Sequence, residues 1–205
     1  MYGPTPDQPG HGGRKAAQSE ATRAQLVGVA TRLFAERGYA AVGTEEIVRQ
    51  AGVTRGALYH HFADKRELFR AVHEGVERDL VERIAAGVTG VAAPWEVMIA
   101  GMRAYLDACT EPTVMQIALI DAPSVLGWEE WREIDARYGL GLVTTALRAA
   151  MDAGVLRRHA VEPLAQLLLA AMAEAGLMVA TAPDPDAARE QVEAALLALL
   201  EGLRA

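Results

Sequence analysis

The tripeptide Ala51-Gly52-Val53 constrains this chain more than any other stretch. It joins two segments that each read as a short helix. Before it, Thr44 suits the cap of a helix with Glu45 and Glu46 in its first turn. Ile47, Val48 and Ala51 fall on the inward face of that helix. After it, Thr54 opens "TRGALYHHF", about two turns ending near Phe62, in which Val53, Leu58 and Phe62 are spaced to bury. Gly52 permits the tight turn between the two. The pair is a helix-turn-helix candidate. A preceding helix, capped by Ser19 and running to about Arg37, places Leu26, Ala30, Leu33 and Phe34 on one face, with Gly38 as its stop. Asp64 and Glu67, three residues apart, suit a capping box that starts a long fourth helix through Leu68, Phe69, Val72 and Val76.

The remainder also reads as helix. Alanine and leucine dominate, aromatics are only 5%, and runs of β-branched residues are scarce. The spacing predicts a fifth helix from Pro94 carrying Trp95, Met98, Met102, Tyr105 and Cys109, and a short sixth after Pro112. Pro123 is expected to break the chain. A seventh helix then spans about Trp128 to Ala153, and the last two span about Pro163 to Thr181 and Pro185 to Leu203. The expectation is an all-α protein of about nine helices. It comprises a disordered N-terminal arm (1–18), a helix-turn-helix domain (19–65) and a helical ligand-binding and dimerisation domain (66–205). The arm holds four glycines and three prolines and no apolar signal region. Its Arg14 and Lys15 suit either a solvated tail or a minor-groove arm. Gln166 and Glu174 interrupt the apolar run Pro163 to Ala182, which argues for a buried helix rather than a membrane span. The single Cys109 cannot form an internal disulfide, so a reducing cytoplasm is the expected location.

A net charge of −7 argues against nucleic-acid binding until it is divided. Residues 1–70 hold ten Lys+Arg and seven Asp+Glu, a balance of +3, whereas residues 71–205 hold ten and twenty, a balance of −10. Any contact with a polyanion therefore belongs to the N-terminal third.

The stretch "RLFAERGYAAVGTEEIVRQAGVTRGALYHHFADKRELF", Arg32 to Phe69, resembles the DNA-binding domain of the TetR/AcrR family of bacterial transcriptional regulators. The resemblance implies a three-helix DNA-binding head on a helical body that dimerises and holds a small-molecule pocket. By position, it places Thr54, Arg55 and Ala57 at base or near-base contacts. Tyr59, His61 and Lys65 fall at phosphate contacts, and Thr44 at a backbone contact opening the second helix. Ala57 departs from the pattern, because a hydroxyl residue often stands there; its methyl suits a thymine methyl instead. Independently of the resemblance, Arg55 offers the bidentate fork that guanine takes, and Tyr59, His61 and Lys65 are donors suited to phosphate.

Met98, Met102, Tyr105 and Trp131 are candidates for an apolar ligand wall, with Asp121 either capping the turn before Pro123 or anchoring a ligand. The plain alternative for the fifth helix is ordinary core. His60 and His61 point about 100° apart on a helix and have no partner at ligand spacing, so no metal and no cofactor is expected. His73 and Glu74 read as a solvated face. The leading reading is a repressor released from a palindromic operator in double-stranded DNA by a small, largely apolar effector. The alternatives are a regulator of the same fold without an inducer and, remotely, a small helical enzyme. For the enzyme no activated nucleophile, metal set or phosphate loop is legible. A homodimer is expected through two helices. One is Leu164 to Ala180, whose small residues are Ala170, Ala171, Ala173, Ala175 and Gly176; the other is the last helix, with its stripe Val192, Leu196, Leu199 and Leu200.

Overall fold

The computed structural model describes residues 11–205 and is all-α over them. The helices are α1 (His11–Ala41), α2 (Thr44–Gln50), α3 (Arg55–His61), α4 (Lys65–Gly87), α5 (Pro94–Cys109), α6 (Ala122–Leu126), α7 (Trp128–Asp152), α8 (Val161–Thr181) and α9 (Pro185–Glu201). A π-helical segment, Val114–Asp121, leads directly into α6.

Helix α1 begins earlier than the sequence predicts. Residues 11–18 of the expected arm are helical, so Ser19 lies inside the helix and does not cap it. The run Lys15 to Gln18 consists of good helix formers, and extending an existing helix adds one hydrogen bond per residue fixed. Residues 1–10 of the arm lie outside the described residues. Gly38 interrupts α1 with φ 75°, a left-handed conformation that favours glycine.

Thr44 is the first residue of α2, not its cap; Gly43 holds the cap position and contributes no side-chain bond. Thr54 caps α3 as expected, its hydroxyl accepting from the Ala57 amide at 3.2 Å. Asp64 caps α4 by accepting from Glu67 N at 2.7 Å. Glu67 reaches back to Ala63 N rather than to the amide of its own cap residue, one residue beyond the ordinary capping box. Pro123 does not break the chain. It sits in the first turn of α6, where no amide is needed, and the turn comes at Gly127, φ 87°.

One core cluster runs without interruption from Leu26 and Phe34 in α1, through Leu58, Leu68 and Phe69, to Leu196 and Leu200 in α9. Phe34, Tyr39 and Phe69 knit α1 to α4, with ring centroids 5.1–5.6 Å apart. Helix α8 is long and apolar enough to cross a membrane, with 39% of its most apolar window buried. It packs against α5, α7 and α9.

The two apolar stripes expected to dimerise divide differently. Val192, Leu196 and Leu200 are buried within the protomer, as are Ala173, Ala175 and Gly176. The interior face is the more continuous one, and the protomer's own core takes it. A Cβ on Gly176 would lie 2.5 Å from the Tyr105 hydroxyl, so this glycine serves the close approach of α8 to α5. The outward residues of the pair include Leu167, 68% exposed, Met178, 53%, and Leu199, 59%.

Candidate nucleic-acid interface and body cavity

Helix α3 is anchored by Leu58, which is fully buried, and by Phe62 at its C-terminus. That fixes what remains outside. Thr54, Arg55, Gly56, Tyr59 and His60 are exposed, and Ala57 and His61 are half-buried. The Arg55 guanidinium lies 5.5 Å from the Tyr59 ring centroid. Its Nη1 is 3.7 Å from Glu45 Oε1, an exposed pair that contributes little and is easily exchanged. Hydrogen bonding to Thr44, then to Arg55, lowers the Tyr59 hydroxyl below its ordinary range. Thr44, Arg55 and Tyr59 therefore form one polar patch spanning α2 and α3. Thr54 is at the opposite end of α3 from His61, so the predicted residues line the whole outer face of a two-turn helix.

Lys65 is placed differently. Its ammonium donates to the Tyr39 carbonyl at 2.5 Å and lies 3.9 Å from the Tyr39 ring centroid. Burial lowers its pKa, against the pull of Asp121. Lys65 thus ties the start of α4 to the end of α1.

Asp121 lies beside it and outside the cavity described below. Its Oδ2 accepts from Tyr39 N at 2.7 Å, bridging residues 82 apart in sequence. Nearby, Arg66 donates to the carbonyls of Val125 at 3.2 Å and Leu126 at 2.9 Å, and to Glu130 at 2.5 Å. The helix-turn-helix end is therefore clamped to the π segment, α6 and α7 by directed hydrogen bonds.

A cavity of about 170 Å3 lies in the helical body, between α4, α5, α7, α8 and α9. Met98, Met102 and Tyr105 line it, as expected. Trp131 does not. It is one turn of α7 nearer the helix-turn-helix end and is packed in the core, 2% exposed, with its ring centroid 4.8 Å from that of Trp128. The residue one turn on, Asp135, reaches the cavity instead.

The sequence reading missed the polar residues of this cavity and its edge. Glu77 and Asp135 line it, and His73, read as solvated, is fully buried. Burial pushes Glu77 up to about 8, with nearby Asp135 as the second cause. Burial lifts Asp135 to about 6, against Arg132, and pushes His73 down to about 4. Burial also raises Tyr105 well above its usual range and Cys109 to about 12, so this thiol is inert rather than nucleophilic. The signal was present in α4. Phe69, His73, Val76, Glu77 and Leu80 recur at three- and four-residue spacing on the face that the apolar residues bury.

Among the described residues, no group of three or more His, Cys, Asp or Glu side chains is arranged to hold a metal.

Comparison with known proteins agrees with both halves. Residues 26–72 match the family model described as "Bacterial regulatory proteins, tetR family", and residues 95–203 match "Tetracyclin repressor-like, C-terminal domain". The Transposon Tn10 TetC protein of Escherichia coli is 28% identical over 149 residues, 73% of this chain and 75% of that one. The HTH-type transcriptional regulator AcrR of Shigella flexneri is 43% identical over 70 residues, but these are only 34% of this chain and 33% of that one. A solved TetR-family transcriptional regulator from Pectobacterium atrosepticum superposes with a TM-score of 0.83 at 36% identity, covering 92% of this chain and 96% of that one. RolR, solved in complex with resorcinol, superposes with a TM-score of 0.71 at 22% identity, covering 90% and 89%, a likeness of fold. With a capped recognition helix at one end, a hollow helical body at the other and relatives that match through both, this chain belongs to the TetR family of bacterial transcriptional regulators and carries its helix-turn-helix DNA-binding domain.

Proposed function

We propose that this protein is a repressor that binds a palindromic operator as a homodimer and releases it when a small, largely apolar molecule enters the body cavity. The observation that carries the reading is the course of α4. The helix begins at Lys65, bonded to Tyr39, and 12 residues later its Glu77 forms part of the cavity wall. A ligand that displaces one end of a rigid helix moves the other, and with it the spacing of two recognition helices on successive major grooves.

In this reading Thr54, Arg55 and Ala57 face base edges, while Thr44, Tyr59 and His61 grip phosphates. Lys65 steadies the helix junction through Tyr39 and meets phosphate only on leaving that site. Dimerisation uses the outward faces of α8 and α9. Leu167, Ala171 and Met178 lie on one line of α8, beside Leu199 of α9. Large apolar side chains left outside on adjacent helices suit a two-fold helical interface. RolR, which shares the fold, was solved with a small aromatic ligand, resorcinol, which suits the apolar-effector reading.

Selection of bound sites from random duplex DNA tests the first half; the enriched sequence is expected to be an inverted repeat. Titrating small apolar compounds against the protein bound to that sequence tests the second. Operator affinity that no cavity-binding compound alters would overturn the release mechanism.

A further inference from the structure

The cavity combines a hydrocarbon wall with two carboxyl groups that have no cation. Its polar lining is Glu77, Asp135 and Tyr105; no lysine, arginine or histidine lines it. Glu77 is only 7% exposed. Its nearest basic group is His73 Nδ1 at 3.9 Å, and His73 is itself fully buried with neither ring nitrogen bonded. Asp135 Oδ2 is likewise buried without a partner. The arginines around this cluster are turned elsewhere. Arg70 faces Glu130 at 3.1 Å, and Arg137 faces Glu74 at 3.1 Å and Glu133 at 2.9 Å. Arg132 lies near enough to influence Asp135 but is not part of the wall. Tyr105 lies beside Cys109, one turn along α5, whose thiol adds to the effect of burial in raising the tyrosine's pKa.

A buried acceptor without a donor is costly, and a second carboxyl lining the same apolar cavity makes ionising either one costlier. Such a site is complementary to a molecule that brings its own donors and positive charge. We propose that the cavity takes an apolar molecule bearing a protonated amine, whose ammonium is received by Glu77 and Asp135 while its hydrocarbon part lies against Met98, Met102 and Leu169. An ammonium carries three donors and no acceptor, the inverse of what the wall presents. A carboxylate ligand would bring a further acid to the cluster and no donor. A neutral alcohol would satisfy one acceptor and leave the charge unmatched. The assignment rests on the ligand-responsive reading above and names the chemistry of that ligand.

The test is calorimetric titration of the full chain with three probes of one shape: 4-phenylbutylamine, 4-phenylbutan-1-ol and 4-phenylbutanoic acid. The amine is expected to bind at least about tenfold more tightly than the alcohol, with the acid weakest. Asp135→Asn and Glu77→Gln keep side-chain shape and remove the ability to ionise. Each is expected to reduce the amine's advantage while leaving the alcohol's affinity within about twofold, a difference well below that of one charged hydrogen bond. An alcohol that matches the amine overturns the proposal. So does an amine advantage that survives in both variants, or the failure of all three probes to bind. If the amine binds but leaves operator affinity unchanged, the charge assignment stands and the release mechanism falls. If the alcohol binds best and releases the operator, the reverse holds.

Discussion

The helix-turn-helix end and the body handle polar side chains in opposite ways. At the DNA-binding end the functional groups are outside, beside short-range partners: Thr54 accepts from the Ala57 amide, and the Arg55 guanidinium lies against the Tyr59 ring. In the body they are inside: both ring nitrogens of His73 and Oδ2 of Asp135 lack a hydrogen-bond partner, and Glu77 comes no nearer His73 than 3.9 Å. An exposed group can lose its local partner at little cost because water replaces it. A buried one has no such substitute. The first arrangement suits a surface that must stay ready for a rigid polyanion. The second suits a site whose energy changes when it is filled.

The strongest test of this contrast lies on the outward face of α8, which belongs to neither group. Ala171→Arg is expected to place an unpaired charge between subunits and to cost about 3–5 kcal/mol of dimer stability. Sedimentation equilibrium at micromolar protein would show a monomer, with specific DNA binding lost. A variant that stays a tight dimer would move the interface elsewhere.

Next in size is Arg55→Ala. It should cost about 1–3 kcal/mol on the selected operator and relax preference at one base pair per half-site. Because Arg55 is exposed, thermal stability should stay unchanged. An unaltered sequence preference would remove Arg55 from base reading.

Glu77→Gln should do the opposite, altering stability and leaving base preference alone. The pKa of folded Glu77 is raised, so folding favours its neutral form. The resulting stability is present at low pH and is lost as pH rises through about 8. The wild type should therefore lose thermal stability between about pH 5 and pH 9, and the variant, always neutral, should lose less. His73, with a depressed pKa, works in the other direction, losing stability as pH falls from its ordinary value towards about 4. Melting temperatures of wild type and variant that change in parallel between about pH 5 and pH 9 would show that Glu77 is not the buried acid described.

The smallest effect sharpens the boundary between the two regions. Lys65→Met keeps the length that packs on Tyr39 and removes the charge. If Lys65 leaves Tyr39 to meet phosphate, the salt dependence of DNA binding should flatten by about one unit of slope per subunit contact. If it remains bonded to Tyr39, the slope should not change and only stability should fall.

What was legible in the sequence follows the same division. The helix-turn-helix is specified by residues within about ten positions of each other. A cap, a glycine and a three-residue apolar spacing define it, so Leu58 buried and Tyr59 exposed could be read directly. Helix boundaries in the body were also readable where proline and glycine mark them, as at Pro94 and Gly154. The cavity was not. Asp135 and Glu77 are 58 positions apart and become neighbours only when α4 and α7 pack. Trp131 and Asp135 share a face of α7, and nothing local says which turn meets the hollow. The same limit applied to the last helix. Periodicity found the stripe Val192, Leu196 and Leu200, but whether that stripe meets its own chain or a second one depends on where α5 and α8 lie.

The π-helical segment sets a phase between the two ends. Its hydrogen bonds run to the fifth residue rather than the fourth, so each of its turns holds an extra residue compared with an α-helix. Deleting one residue there would let the segment relax to ordinary winding and would swing Asp121 by about 100° around the axis, off the Tyr39 amide. Val125 and Leu126 follow in α6 without a break, so the carbonyls that Arg66 holds would swing with Asp121. One deleted residue would thus release both pins between the helix-turn-helix end and the body.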